Sequence, residues 1–370
     1  MVKAMVRCLV HEPFYTHGTY IDKELGLWLG WVNHEGSFSD CLPIWNEKKD
    51  ICLLFSGEDF ADQTDIEALR GRGHEFGCED ASYLVHLYEE RGCKFLEGLN
   101  GWFSGVLVDL REQKCVLFND RYGVNRIYYH EETDKLYFAS EAKALLKILP
   151  ATRQLNPRSL GELLSCDAVL QNRSLFSGIS LLPAGSSWVF PQGKPVRKTT
   201  YFKSEAWENQ PELSESHFYD RLKETWGRIL PKYFRGKQSV GLSLTGGVDS
   251  RMILAWAPRS PGALPCYTWG GAYRDCADVK IARRAAEISH QPHRTILVGD
   301  DFLAQFSELA ERAVYVSDGT MDVTGSIDLY VQRLAREIAP VRLGGVCGGE
   351  ILRRLVMFKP DPPEEDFFDS

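Results

Sequence analysis

No Cys-x-x-Cys pair occurs in this chain, although it carries 10 cysteines in 370 residues. Scattered single cysteines exclude a zinc ribbon or a dithiol redox motif. No N-terminal apolar stretch of the signal type precedes them, so a reduced, cytoplasmic setting is expected over a secreted disulfide framework. The sequon Asn172-Arg173-Ser174 is then a chance match. No apolar run approaches the roughly 20 residues that cross a bilayer, so no membrane partner is expected. Positive charge is in deficit: 43 Lys and Arg face 51 Asp and Glu, for a net charge of -8. A general nucleic-acid binder wants a basic face, so none is expected here. There is no Gly-x4-Gly-Lys-Ser/Thr and no Gly-x-Ser-x-Gly elbow. Gly71-x-Gly73 follows no strand of the dinucleotide-binding type. His290-x-x-His293 spans Pro292, which breaks the helix two metal-binding histidines would share, and a third ligand is lacking.

What is present is an ordinary globular composition, 44% hydrophobic and 25% charged, over a length that fills two cores. Residues 1 to about 200 read as short strands separated by turn signals. Met5–Val10 alternates, Leu25–Val32 is denser and glycine-broken, and Ile51–Phe55 is a buried run ending at Ser56-Gly57. Residues 80–91 have an apolar side made by Leu84, Val85, Leu87 and Tyr88, with Gly92 just after, which predicts a helix. Residues 102–109 and 114–118 predict one hairpin, and 127–130 with 135–139 another. Residues 141–148 read as a short helix stopped by Pro150. Residues 190–215 are rich in proline and polar side chains and read as a linker between two cores.

The second half changes rhythm. A helix starting near Ser214 or Ser216 precedes a short apolar strand at 239–244. Strands near 263–269, 294–298 and 341–346 then alternate with helices near 278–289, 301–314 and 327–338. That alternation predicts a parallel, doubly wound sheet. Ligands of such sheets sit beyond the carboxyl ends of the strands, where the winding reverses. If the first and fourth strands are neighbours, the loops at 245–250 and 344–350 face one crevice.

Between the 239–244 strand and its helix stands Leu244-Thr245-Gly246-Gly247-Val248-Asp249-Ser250-Arg251. Two adjacent glycines let another molecule approach the backbone closely. The helix start gathers unpaired N–H groups and the positive end of the dipole, so a phosphate placed there meets several donors. Asp249 repels a bare phosphate, and its natural task is to hold a divalent cation that bridges phosphate oxygens. Thr245 and Ser250 can add hydroxyl donors. Arg251 either reaches phosphate or stays solvated or paired. The plainer alternative is a tight strand-to-helix turn with a Ser/Asp cap.

This turn resembles the pyrophosphatase loop of the asparagine synthetase family, Ser-Gly-Gly-x-Asp-Ser, with Thr245 replacing the first serine. Asn119–Tyr129 resembles the Arg-Asp-Arg-x-Gly-x-Lys-Pro-Leu-Tyr-Tyr segment of class II glutamine amidotransferase domains, and Leu136–Leu146 its Phe-Ala-Ser-Glu-x-Lys-Ala-Leu-Leu follow-on. Ser56-Gly57-Glu58 stands where the family has Asn-Gly-Glu, and Leu181–Gly185 resembles its Leu-Pro-Pro-Gly turn. Gly344–Glu350 resembles Gly-x-Gly-x-Asp-Glu, with Gly349 in the aspartate position.

The resemblance implies an α+β N-terminal-nucleophile hydrolase-like sandwich over residues 1–200, and then an α/β doubly wound pyrophosphatase-loop domain over 212–358, of the adenine-nucleotide alpha hydrolase type. Residues 359–370 are expected to be a disordered tail. It implies ATP and magnesium. Leu244, Thr245, Gly246, Gly247, Asp249 and Ser250 would meet the phosphates, with Asp249 on the metal. Trp269 and Gly270 would meet the adenine, and Asp249 and Glu350 would be catalytic. As alternatives, Trp269 is a core tryptophan before a turn, and Asp278 a simple helix cap. The implied reaction is AMP-forming amide-bond synthesis on a small-molecule or peptide carboxylate.

The departures matter as much. The family's glutaminase uses a cysteine at residue 1, whose own α-amine is the base. Here Met1 leads, and Cys8 falls inside a predicted strand. Ser56 replaces the asparagine that supports the oxyanion, and no arginine stands near 40–45 to grip the glutamine carboxylate. Glutamine hydrolysis is therefore expected to be lost, leaving ammonia or a substrate amine as the nitrogen source. Relatives carry a long helical extension past residue 358 that supplies a catalytic lysine, so a homodimer or a C-terminal partner is an open expectation. Two further readings stand beside the ligase. One is a non-catalytic relative that binds a nucleotide or a partner. The other is a different pyrophosphatase-loop enzyme, such as a tRNA thiolase, which the acidic charge and the sandwich argue against.

Overall fold

Alternation along a single strand decides how the first unit is layered. Ile51, Leu53 and Phe55 turn to one face and Cys52 and Leu54 to the other, and all five are buried. A strand buried on both faces needs a layer on each side. The computed structural model, which describes residues 1–346 and 348 apart from Cys78 and Pro258, supplies both. Ile51, Leu53 and Phe55 pack in one cluster with Leu84, Val85, Leu87 and Tyr88 of the helix Leu84–Arg91. Cys52 and Leu54 pack in another with Leu29, Ile127, Leu182 and Trp188.

The strand belongs to a six-stranded antiparallel sheet. Its order is Arg197–Thr200, Ser186–Pro191, Lys114–Asn119, Phe103–Asp109, Ile51–Gly57, Ile44–Trp45. Beneath it lie a two-stranded sheet, Tyr15–Asp22 with Leu27–His34, and a three-stranded sheet, Leu136–Ala139, Tyr128–Glu131, Ser180–Leu181. The helix Ala142–Ile148 closes the far side, where Ala142, Ala144 and Leu145 cluster with Met5, Cys8 and Leu9. Helix, sheet, sheet, helix is the sandwich the sequence implies.

Two expectations are corrected here. Met5–Val10 is not a strand: Val2–Leu9 is a helix, so Cys8 is helical. Val2, Met5, Val6 and Leu9 also recur at the helical spacing, and a run this short satisfies both periods. The helix presses on the sheet at Gly30, where an ideal Cβ would lie 2.5 Å from Val6 Cγ2. Residues 190–215 are not a bare linker. Arg197–Thr200 returns as an edge strand on Ser186–Pro191 through a turn with Gly193 at φ +65°, and Glu205–Glu208 is a helical turn. Pro191 ends the first strand of the hairpin and Pro195 lies in its turn, places where a missing N–H costs little.

The first unit comprises Met1–Leu164, Ala168–Ser239 and Phe306–Ser326; the second comprises Ser165–Asp167, Val240–Gln305 and the chain from Ile327. The second holds a four-stranded parallel sheet in the order His293–Val298, Cys266–Gly271, Val240–Ser243, Val341–Leu343. Helices Val248–Trp256, Ala277–Ile288, Asp300–Val316 and Gly325–Arg336 alternate with those strands. This is the doubly wound pattern. No helix among the described residues is long and apolar enough to cross a membrane.

Candidate functional site

The winding of the parallel sheet reverses at Val240–Ser243. This strand pairs on one side with Cys266–Gly271, the next strand in sequence, and on the other with Val341–Leu343, the last. Its carboxyl end is therefore the place where two loops diverge and leave a crevice. Thr245, Gly247, Asp249 and Ser250 line one wall of a cavity of about 130 Å³, and Arg342, Gly344 and Gly345 line the other. The expected meeting of the two loops holds as far as Val346; Glu350 and Gly349 lie outside the described residues.

The turn is held by its own side chains. The Thr245 N–H donates to Ser250 Oγ at 3.0 Å, and the two hydroxyl oxygens stand 3.1 Å apart. The Gly247 N–H donates to Thr245 Oγ1 at 3.1 Å, and the Gly246 N–H to Asp278 Oδ1 at 2.9 Å. Ser250 is almost wholly buried. Thr245 and Ser250 thus brace the loop, and Asp278 ties it to the start of the helix Ala277–Ile288. Asp249 and Ser250 bring the first turn of the helix Val248–Trp256 to the cavity, and the amides of that turn have no intrahelical carbonyl to reach.

The opposite loop approaches Asp249 so closely that only glycine fits. An ideal Cβ on Gly345 would lie 2.7 Å from Asp249 Cβ and 2.7 Å from the Ser250 nitrogen; one on Gly348 would lie 2.6 Å from Asp249 Cγ. The glycines that sequence reading takes from a motif are thus fixed by packing against the carboxylate.

The other named residues distribute unevenly. Leu244 is fully buried; its N–H donates to the Tyr267 carbonyl at 2.8 Å, and its carbonyl accepts from Thr268 Oγ1 at 2.5 Å. Trp269 is 43% exposed, so it is not a core tryptophan, yet neither it nor Gly270 lines the cavity. Gly270 instead admits Val279, whose Cγ2 an added Cβ would meet at 2.8 Å. Arg251 Nε donates to the Gly247 carbonyl at 3.2 Å, and Asp275 pairs with Arg283 at 2.8 Å. Arg342 was not legible as a site residue. Its one signal is a charge between two apolar positions of a short parallel strand.

A family model for "Glutamine amidotransferase domain" matches residues 37–202, and one for "Asparagine synthase" matches residues 229–365. Asparagine synthetase [glutamine-hydrolyzing] 2 of Bacillus subtilis is 28% identical over 280 residues, which are 71% of this chain and 37% of that protein. Asparagine synthetase 1 of the same organism is 21% identical over 354 residues, 95% of this chain and 55% of that protein. Asparagine synthetase 3 of Arabidopsis thaliana is 25% identical over 354 residues, 89% and 53% respectively. Along most of its length the chain is similar to the asparagine synthetase family. It spans about half the length, or less, of these synthetases.

Within the family's amidotransferase domain, the arginine-aspartate segment has become legible as scaffolding. Asp120 is 2% exposed and accepts from four backbone N–H groups, those of Phe103, Tyr122, Val124 and Asn125, at 2.8–3.2 Å. It folds the loop that follows Lys114–Asn119. Asn125 then reaches back, donating from Nδ2 to the Ser56 carbonyl at 3.3 Å. Ser56 itself is exposed, and Cys8 Sγ donates to the Ala4 carbonyl within its helix at 3.3 Å. Glu58 and Asp59 follow. Burial, and then the neighbouring Asp59, push the Glu58 carboxyl up to about 7. Burial pushes Asp59 up to about 6, against hydrogen bonds from Tyr83 Oη and the Asn100 N–H, both at 2.6 Å.

Proposed function

We propose that the chain is an ATP-dependent, amide-bond-forming ligase that has lost glutaminase activity. One juxtaposition carries the reading: Asp249 and a glycine-turn helix start face Arg342 across a cavity at the switch point of a parallel sheet. In this reading the first-turn amides donate to the β- and γ-phosphates of ATP. The donor set fits a hard cation: one carboxylate at an open cleft, with room for phosphate oxygens and water. Magnesium held by Asp249 would neutralise charge on the phosphate oxygens. A carboxylate oxygen of a small molecule or peptide attacks the α-phosphorus, and pyrophosphate departs as the new O–P bond forms. Ammonia or a substrate amine then attacks the acyl carbon, AMP leaves, and the amine gives up its proton. Arg342 and the helix start stabilise the departing pyrophosphate, and the rigid turn keeps them in line with it.

Loss of the glutaminase is supported by Cys8 in the last turn of a helix and by Ser56 in the oxyanion position. The cytoplasmic setting, residues 212–358 as the nucleotide module, and a homodimer or C-terminal partner belong to the same proposal. A second reading, nucleotide binding without turnover, is favoured by Gly349 in the place of the family's second acidic ligand.

The test is release of pyrophosphate from ATP and magnesium across a panel of amino acids and small carboxylates, with ammonium present. The ligase reading expects release with one of them that Asp249→Ala lowers at least about 100-fold. Chelation of magnesium should abolish it. Tight ATP binding with no turnover under any of these conditions would establish the second reading instead.

A further inference from the structure

A second cluster of ionisable side chains lies in the first unit. Glu47 follows the short strand Ile44–Trp45, and His74 sits in the loop after the helix Gln63–Gly71. His86 and Glu89 stand three apart on the helix Leu84–Arg91, a spacing that puts both on one face. One ligating atom from each of the four lies within 4.8 Å of the others. His86 Nδ1 is 2.8 Å from Glu89 Oε2 and 3.7 Å from Glu47 Oε2. His74 Nδ1 is 3.8 Å from Glu47 Oε1 and 3.8 Å from Glu89 Oε2. In a tetrahedral zinc site, bonds near 2.0–2.1 Å put neighbouring ligand atoms roughly 3.3 Å apart. The four distances, which reach Glu47 through either carboxylate oxygen, straddle that value.

An ordinary hydrogen-bonded His–Glu network accounts for the 2.8 Å contact but not for the rest. His74 Nδ1 faces both carboxylates from beyond hydrogen-bond reach, toward the same centre as His86 Nδ1. Behind the inner four stands a supporting layer. His74 Nε2 lies 3.0 Å from Glu90 Oε1, and Glu90 accepts in turn from Arg72 at 2.5 Å. A carboxylate behind an imidazole holds its proton on the outer nitrogen and leaves the inner lone pair free for a cation. Asn46 Nδ2 donates to Glu89 Oε1 at 2.9 Å, and the Glu75 N–H to Glu47 Oε1 at 3.2 Å. The His86 side chain is 2% exposed and that of Glu47 44%, with His74 and Glu89 half-buried between them, so the cluster runs from a buried floor to an open rim for entry.

We propose that Glu47, His74, His86 and Glu89 bind one divalent transition cation of the zinc type, which staples the 47 and 74 segments to the helix Leu84–Arg91. Two imidazoles favour zinc or cobalt over magnesium or calcium. Four protein ligands leave no open position, so the site is structural.

The experiment uses the full chain, stripped by chelator and titrated with Co²⁺ and then Zn²⁺. The expected result is one Co²⁺ per chain with the visible bands of a tetrahedral nitrogen–oxygen site, displacement by Zn²⁺, and a rise of a few degrees in the melting temperature. Glu47→Gln removes an exposed ligand with little risk to folding and should weaken Co²⁺ binding by at least about tenfold, as should His74→Gln. Asp249→Ala should leave it intact, which separates this site from the cleft. Absence of bound Co²⁺, affinity unchanged in both variants, or a thiolate charge-transfer band placing the ion on cysteine would overturn the proposal.

Discussion

The strand Ile51–Gly57 ends in Ser56-Gly57-Glu58, and the strand Val240–Ser243 runs into Thr245-Gly246-Gly247. Both turns bring a carboxylate to a strand end, and they treat it differently. In the first, Gly57 sits at φ +107° under the Trp102 carbonyl, 2.1 Å from where a Cβ would be, and Glu58 is pressed into low dielectric beside Asp59. In the second, hydroxyls brace the loop from behind, and Asp249 is left lining a cavity. Packing has closed over one turn while the other keeps its opening. The matched motifs here do folding work: Asp120 ties its loop together through four backbone N–H groups, and Gly57 fits a turn that no side chain could enter.

The sharpest way to break that comparison is Asp120→Ala. It would orphan four N–H groups around a nearly fully buried position, each costing about 1–3 kcal/mol unless water reaches it. Partial solvation of the loop leaves an expected loss of about 4 kcal/mol, read by urea denaturation of the full chain followed at the first unit's tryptophans. A loss below about 1 kcal/mol would mean that this motif is not scaffolding.

Next in size is Gly345→Ala. The added Cβ must displace Asp249 or the Ser250 backbone, each 2.7 Å away, and both belong to the cavity wall. Pyrophosphate release should fall about 30-fold or more, equivalent to roughly 2 kcal/mol, with global stability changed far less. Unaltered turnover would show that the two loops do not act on one ligand.

Glu58→Gln tests the closed turn through pH. The folded chain raises this carboxyl from its ordinary 4.5 to about 7, so it binds a proton more tightly than the unfolded chain does. Stability therefore drops as pH climbs from about 4.5 through 7 and stays low above that. Glutamine cannot ionise. The variant should match the parent near pH 4.5 and exceed it by roughly 2 kcal/mol at pH 8, measured as melting temperature across that range. A pH-independent difference would mean that Glu58 is ionised and solvated in the folded chain.

How much was legible in the sequence follows the same division. The rhythm of strands and helices after residue 239 gave the doubly wound pattern, because burial on fixed faces writes a period into the chain, whereas Ile51–Phe55 reads only as a buried run and the sandwich rested on the resemblance. The neighbouring of Val240–Ser243 and Val341–Leu343 stood as a condition in the sequence and is met by the strand pairing. The helix Val2–Leu9 was misread because eight residues can satisfy either period. The engagement of Ser250 and Asp278 within the turn was out of reach, since a hydroxyl's direction depends on neighbours 5 and 32 residues away. The Glu47–His74–His86–Glu89 cluster left only a His-x-x-Glu pair on one helix; its other two members come from separate segments with no spacing rule.

The smallest expected effect is also the most specific to the open turn. Ser250 Oγ accepts from the Thr245 N–H at 3.0 Å and sits 3.1 Å from Thr245 Oγ1, while Thr245 Oγ1 accepts from the Gly247 N–H. Ser250→Ala would remove the inner member of this chain, leave one buried N–H without its acceptor, and cost about 1 kcal/mol in stability. If the hydroxyls only brace the loop, the loss should appear in turnover as a modest fall of about threefold to tenfold, with ATP binding little changed. If Ser250 instead donates directly to a phosphate, ATP affinity should fall by a larger factor than turnover. Equilibrium ATP binding and single-turnover pyrophosphate release, measured on the same variant, decide between bracing and direct contact.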